Sequence, residues 1–177
     1  MTYDFYLKDS ATSGPGTWGE GDRYVVGTEL KLLFDEVCQL SSCPFDISDF
    51  WWDPTSVSTT SLLIYFVDDQ SSSLVRQIKP NSPLGGGGTT HISSAGNLSE
   101  VYVSAAASDE NSPRALAVLA FHEAMHNLLK KGQSLHASGG MGLAAETVFS
   151  NSRLTQKNKE LMAAVTGKTI PQNTSFL

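Results

Sequence analysis

Ser112-Pro113-Arg114-Ala115-Leu116-Ala117-Val118-Leu119-Ala120-Phe121-His122-Glu123-Ala124-Met125-His126-Asn127-Leu128-Leu129-Lys130-Lys131-Gly132 is the segment from which the rest of the chain is best approached. Ser112 is of N-cap type, and Pro113 stands at a first helical position, where its missing N–H costs nothing. From Ala115 to Leu129 strong helix formers dominate. Lys130 and Lys131 suit the negative end of the macrodipole, and Gly132 offers a left-handed C′ residue. A helix is expected over 112–132. Inside it His122 and His126 are four apart and share one face, so both imidazoles can reach one metal ion. Glu123 is rotated by about 100 degrees from His122. That is too far round for an easy third ligand, yet well placed to meet a water on the metal. The flanks Leu119-Ala120-Phe121 and Leu128-Leu129 are apolar, and a Glu and two His are costly to bury there without partners.

Two helical imidazoles and an adjacent carboxylate are the equipment of zinc hydrolysis. Zinc lowers the pKa of its water, and the carboxylate takes the proton as the water attacks a carbonyl. A third protein ligand is then required. His136 lies ten residues after His126, and Glu146 twenty. His136 is favoured because a neutral imidazole on a glycine-ended return is a simple ligand. Glu146, on a helix expected over 143–150, stays open as the alternative, or as a carboxylate holding an imidazole N–H.

These residues resemble the zincin metallopeptidases, and more loosely their metzincin branch. There the helical His-Glu-x-x-His motif is followed by a glycine, a third His and a methionine turn under the metal. His122, Glu123, His126, Gly132, His136 and Met141 occur in that order. The motif resemblance spans 119–141 and is one of layout elsewhere. It departs from the family in spacing: Gly132 is six residues after His126, His136 four beyond it, and no tyrosine follows Met141. The spacing of Glu146 instead resembles the gluzincin branch, without the asparagine usual before that glutamate. The resemblance implies that an edge strand binds the substrate main chain, with residues 89–107 as the cleft wall.

Upstream, residues 3–8 read as a strand, 11–23 as a glycine-rich loop and 28–40 as a helix with Thr28 as N-cap. Residues 41–56, with Phe45, Phe50, Trp51 and Trp52, read as a hydrophobic cluster under a turn-rich segment. Ser61-Leu62-Leu63-Ile64-Tyr65-Phe66-Val67 has the continuous apolar character of a strand buried on both faces. Strands are expected over 73–79 and 100–107. The run Gly85-Gly86-Gly87-Gly88 lacks the Gly-Lys-Ser/Thr of a phosphate loop, and reads as a flexible loop on a cleft rim. His91 reads as an exposed loop histidine, and Asn127 is assigned only local hydrogen bonding. Downstream, helices are expected over 143–150 and 155–165, the second stopped by Gly167, with 168–177 as an extended tail.

A chain of 177 residues with 40% hydrophobic content can bury one core. The formal net charge of -6 and the scattered Lys and Arg argue against a nucleic-acid partner. No window is apolar enough for a membrane helix, and Met1 to Asp9 lacks the basic and apolar regions of a Sec-type signal. Cys38 and Cys43 read equally as a short bridge or as two thiols, and without a second pair they do not make a zinc site.

The expected architecture is α+β: a twisted mixed sheet with a long active-site helix and a small helical C-terminal lobe. Residues 1–177 form one domain, its lobes dividing near residue 132. The expected function is zinc-dependent endopeptidase, with His122, His126 and His136 on the metal, Glu123 as general base and a protein or peptide as substrate. Two alternatives are a zinc amide hydrolase acting on a non-peptide or cell-wall substrate, and a non-enzymatic interaction module with an incidental motif.

Overall fold

The computed structural model describes residues 3–11, 19–39, 45–58, 61–165 and 169–177, without the side chains of 46–50. The elements run β1 (Tyr3–Asp9), α1 (Glu20–Cys38), β2 (Phe45–Trp52), β3 (Ser61–Val67), α2 (Leu74–Ile78), β4 (Gly88–His91), β5 (Leu98–Tyr102), α3 (Ser112–Leu129), α4 (Ser134–Ser138) and α5 (Gln156–Ala163). The fold is α+β, as the sequence leads one to expect. The five-stranded sheet has the order β2-β1-β3-β5-β4. Its first four strands are parallel, and β4 runs antiparallel to β5 at one edge.

β3 organises the sheet because both of its faces are apolar. Leu62, Ile64 and Phe66 join the larger core, under α1 and α3. Leu63, Tyr65 and Val67 point the other way and meet Leu74, Val75, Leu98 and Tyr102. Each such side chain contributes roughly 1.5–3 kcal/mol on full burial. The second face is closed by the C-terminal residues. Phe176 lies 6.2 Å from the Tyr65 ring, and the Tyr65 hydroxyl donates to the Asn173 carbonyl at 2.8 Å. The expected extended tail thus packs against the sheet over its described residues, 169–177.

α3 is hydrophobic on nearly every side and correspondingly buried from Ala115 to Leu128. Its N-cap is Asn111, whose side chain accepts from the Arg114 N–H, one residue before the expected Ser112. Its end is set by Lys130 in the left-handed conformation at φ 52, so Gly132 does not fill that role.

Other expectations are corrected. α1 begins eight residues before residue 28, since Asp22 accepts the Gly19 N–H at 2.8 Å and Val26 extends the buried stripe of Leu30, Leu33 and Phe34. Residues 45–52, expected as a loop cluster, form a strand beside β1. Residues 74–78 form a helix rather than a strand, because a carboxylate far away in sequence, Glu100, accepts from the Leu74 and Val75 N–H groups at 2.7 and 3.3 Å. β5 stops at Tyr102, and the alanine-rich residues after it turn into a 3-10 helix, Val103–Ala106. Only a 3-10 turn, Gly142–Ala144, stands where a helix over 143–150 is expected. α5 lies within 155–165 with Thr155 as its N-cap and Ala164 as its C-cap; Gly167 lies outside the described residues. Cys38 is not a free thiol, and Cys43 lies outside the described residues. Among the described residues no helix is long and apolar enough to cross a membrane.

Candidate metal centre

α3 carries His122 and His126 on one face, and the helical return presents His136 to them from α4. One ligand atom from each of the three lies within 4.8 Å of the others. The Nε2 atoms of His122 and His126 are 3.0 Å apart, and those of His126 and His136 are 3.2 Å apart. Two nitrogens bound to one tetrahedral zinc at about 2.0–2.1 Å lie roughly 3.3 Å from each other.

The partners of the other ring nitrogens decide what these atoms carry. His122 Nδ1 is 2.7 Å from the Leu143 carbonyl, His126 Nδ1 is 2.5 Å from the Lys131 carbonyl, and His136 Nδ1 is 3.0 Å from Gln133 Oε1. A backbone carbonyl oxygen only accepts, so Nδ1 of His122 and of His126 bears the proton and their Nε2 atoms are bare lone pairs, and Gln133 Oε1 facing Nδ1 of His136 favours the same tautomer there. Three lone pairs converging at this distance repel one another unless a cation lies between them. The donor set, three neutral imidazoles held by their outer N–H groups, fits a borderline-soft divalent metal such as zinc. The three residues can bind a metal ion.

His122 and His126 are 6% and 8% exposed, while His136 is half-buried, leaving the centre open on one side. Burial holds the His122 pKa down to about 4, against the Leu143 hydrogen bond and with the neighbouring imidazoles adding to the shift. Burial also lowers His126. Both are therefore in the neutral, ligating form at neutral pH.

His136 reaches the pair through a tightly closed return. Leu135 is buried beside it, and Gly139 packs so closely that a Cβ there would lie 2.3 Å from Ala144 Cβ. Asn158 on α5 holds this return, a role nothing in its local sequence announces beyond the Thr155-to-Asn158 capping spacing. Glu146 is exposed on the wall of the cleft, outside the triad, and none of the three imidazole N–H groups is held by it. Met141 is 68% exposed and so is not seated beneath the imidazoles.

Glu123 is 3% exposed and faces β4. Thr90 Oγ1 donates to its Oε2 at 2.6 Å. Burial pushes its pKa up to about 8, the Thr90 hydrogen bond opposes this, and the Glu100 carboxylate adds to it. Gly88 gives it room: a Cβ there would stand 2.9 Å from both Cγ and Oε1 of Glu123, and 2.6 Å from the Glu100 carbonyl. The glycine run is therefore a close-packed turn for most of its length. Gly85 and Gly87 likewise have no space for a Cβ, and only Gly86 does. His91 ends β4, half-buried and paired with Leu98.

The centre lies in a cleft of ≈ 1190 Å³. One wall is the run from Ser82 to Thr90, the other the segment from Glu146 to Asn151. Of the expected wall over 89–107, Thr89, Thr90 and Ala105 line the cleft. No protein-family model, no curated protein and no solved structure matches the chain.

Proposed function

We propose that this chain is a zinc-dependent endopeptidase in which His122, His126 and His136 hold the metal and Glu123 is the general base. One observation carries the reading: three imidazoles converge in a cleft that the buried Glu123 also lines. Zinc bound there supplies Lewis acidity, polarising the scissile carbonyl and making water acidic. Glu123 takes the proton of the attacking water and returns it to the leaving amine nitrogen. His122 and His126 keep their ligating tautomer because backbone carbonyls hold their Nδ1 protons.

The substrate side follows from the sheet. Among the described residues β4 pairs with β5 alone, so its other edge offers N–H and C=O groups to an extended chain. A peptide adding to that edge runs past Glu123, which Thr90 of β4 touches. The cleft exceeds the roughly 300–1,000 Å³ of a typical small-ligand pocket, which favours a polymer over a compact metabolite. This agrees with the resemblance to zincins.

The test is hydrolysis of casein or a mixed peptide library by zinc-loaded protein, read by mass spectrometry of the products. Cleavage that stops with chelator, returns with zinc and is absent in Glu123→Gln is expected. Fully zinc-loaded protein that cleaves no peptide bond overturns the assignment, whether or not it opens a cell-wall amide.

A further inference from the structure

We propose that Thr90 is a positioning residue for Glu123, its hydroxyl proton aimed at the carboxylate by a hydrogen-bond chain running from Gln172 through Asn127 and Ser99. The proposal rests on the reading of Glu123 as general base, and it gives the C-terminal segment a part in the site.

The direction of the chain is fixed at its far end by the backbone. Gln172 Oε1 accepts from the Leu63 N–H at 3.3 Å, and Gln172 Nε2 donates to the Ile170 carbonyl at 3.1 Å. A backbone N–H only donates and a carbonyl only accepts, so this amide has one permitted orientation. Asn127 faces it in a reciprocal pair. Its Nδ2 donates to Gln172 Oε1 and its Oδ1 accepts from Gln172 Nε2, both at 3.0 Å. Asn97 Nδ2, 3.3 Å from the same Oδ1, agrees with that orientation. The second N–H of Asn127 is thereby turned to Ser99 Oγ, 2.9 Å away.

Ser99 Oγ accepts that proton and has its own left to give. Thr90 Oγ1 is 2.9 Å from it. With a lone pair so engaged, Thr90 directs its single proton to Glu123 Oε2 at 2.6 Å, in preference to the Glu123 main-chain carbonyl at 3.2 Å. Ser99, Asn127 and Glu123 are buried, and Thr90 and Gln172 are half-buried. Gly88 closes the other side, and the carboxylate sits between the backbone of one β4 residue and the hydroxyl of another. Oε2 is thus anchored, and Oε1 remains to take the proton from water. Gln172 and Asn127 lie on elements far apart in sequence, which is why no local motif marks the chain.

Thr90→Val keeps the shape and removes the hydroxyl. With zinc-loaded protein and one peptide substrate, kcat is expected to fall roughly 10- to 100-fold, the loss of a hydrogen bond to a charged group. KM is expected to stay within about twofold and the zinc content to be unchanged, since Thr90→Val keeps the β4 backbone that pairs with substrate in this reading and alters no metal ligand. Thr90→Ser is expected to restore most of kcat. A second readout needs neither metal nor turnover: the ¹³Cδ resonance of Glu123 in metal-free, ¹³C-glutamate-labelled protein, identified by its absence in Glu123→Gln. It is expected to move in Thr90→Val and to return in Thr90→Ser. Wild-type kcat with an unmoved resonance in Thr90→Val overturns the proposal, as does a loss of kcat matched by a loss of zinc. If wild-type protein hydrolyses nothing, or Glu123→Gln is fully active, the general-base reading fails, and the resonance alone then decides whether Thr90 holds Glu123.

Discussion

His122 Nδ1 lies 2.7 Å from the carbonyl oxygen of Leu143, twenty-one residues further along the chain. The same Leu143 gives its N–H to Asn158 Oδ1 at 3.0 Å. Asn158 also accepts the Thr155 N–H, and its Nδ2 donates to the carbonyls of Gly139 at 2.7 Å and Met141 at 3.0 Å. The carbonyl that fixes one ligand's tautomer is therefore anchored by a buried side chain on α5, and so is the return that leads from His136.

Asn158→Ala tests that anchor. It strands the Leu143 and Thr155 N–H groups and the Gly139 carbonyl, each costing roughly 1–3 kcal/mol if left unpaired. Denaturant unfolding is expected to show a loss of at least about 2 kcal/mol. Zinc affinity, measured by competition with a chromophoric chelator, is expected to drop roughly 10- to 100-fold, as for other groups that orient ligands. Wild-type affinity in a folded variant would show that the Leu143 carbonyl does not need the clamp.

The third ligand is tested by paired substitutions. His136→Ala is expected to weaken zinc binding by more than roughly a hundredfold, beyond the usual effect of an outer group. Glu146→Ala is expected to leave it unchanged, because Glu146 is exposed and outside the triad. The opposite pattern would transfer the ligand role to Glu146.

Neighbouring glycines make a steric test. A methyl at Gly88 would stand 2.9 Å from two atoms of Glu123, whereas nothing lies within 4 Å of a Cβ at Gly86. Gly88→Ala is expected to keep zinc and lose roughly tenfold or more of kcat by shifting the base, and Gly86→Ala to behave as wild type. Equal activity in both would mean that Glu123 moves aside without consequence.

The pH dependence of metal-free stability reports on Glu123 directly. Its pKa is about 8 in the folded chain against an ordinary 4.5. The folded state keeps the proton longer, so the stability this group contributes is complete below pH 4.5 and is lost as pH rises through 8. Glu123→Gln does not titrate. Its Tm relative to wild type, both metal-free, is expected to climb steadily between about pH 5 and pH 8. A difference that stays constant over that range would mean Glu123 is not held in a desolvated setting.

The fold was legible where short-range chemistry decides it. Pro113, the apolar run into Leu128 and the uninterrupted stretch Leu62 to Val67 announce the central helix and the central strand. The two-sided burial of β3 also required a second apolar layer, though not which residues would supply it. Phe176 and Leu177 do so from a segment that reads as a tail. The errors fall where a distant group overrides local preference. Glu100 caps α2 from across the sheet, and the strand propensity of the β-branched Val75 and Ile78 loses to that cap.

The candidate site divides in the same way. His122, Glu123 and His126 follow from helical spacing alone, and His136 from the need for a third ligand near a helix end. Thr90, Gly88, Asn127, Gln172 and Asn158 were not legible. Each acts through a partner brought close only by the sheet order or by packing of the C-terminal segment. The glycine run did carry a signal, since four glycines beside a site often mean close approach of backbone, but it equally suits a flexible rim.

The central claim is that His122, His126 and His136 form one metal site. Elemental analysis of purified wild-type protein after exhaustive dialysis measures it most directly. The account predicts one zinc per chain, because three converging imidazole lone pairs bind a cation that dialysis alone does not remove. Protein that carries no zinc, and takes none up when zinc is added back, would contradict it.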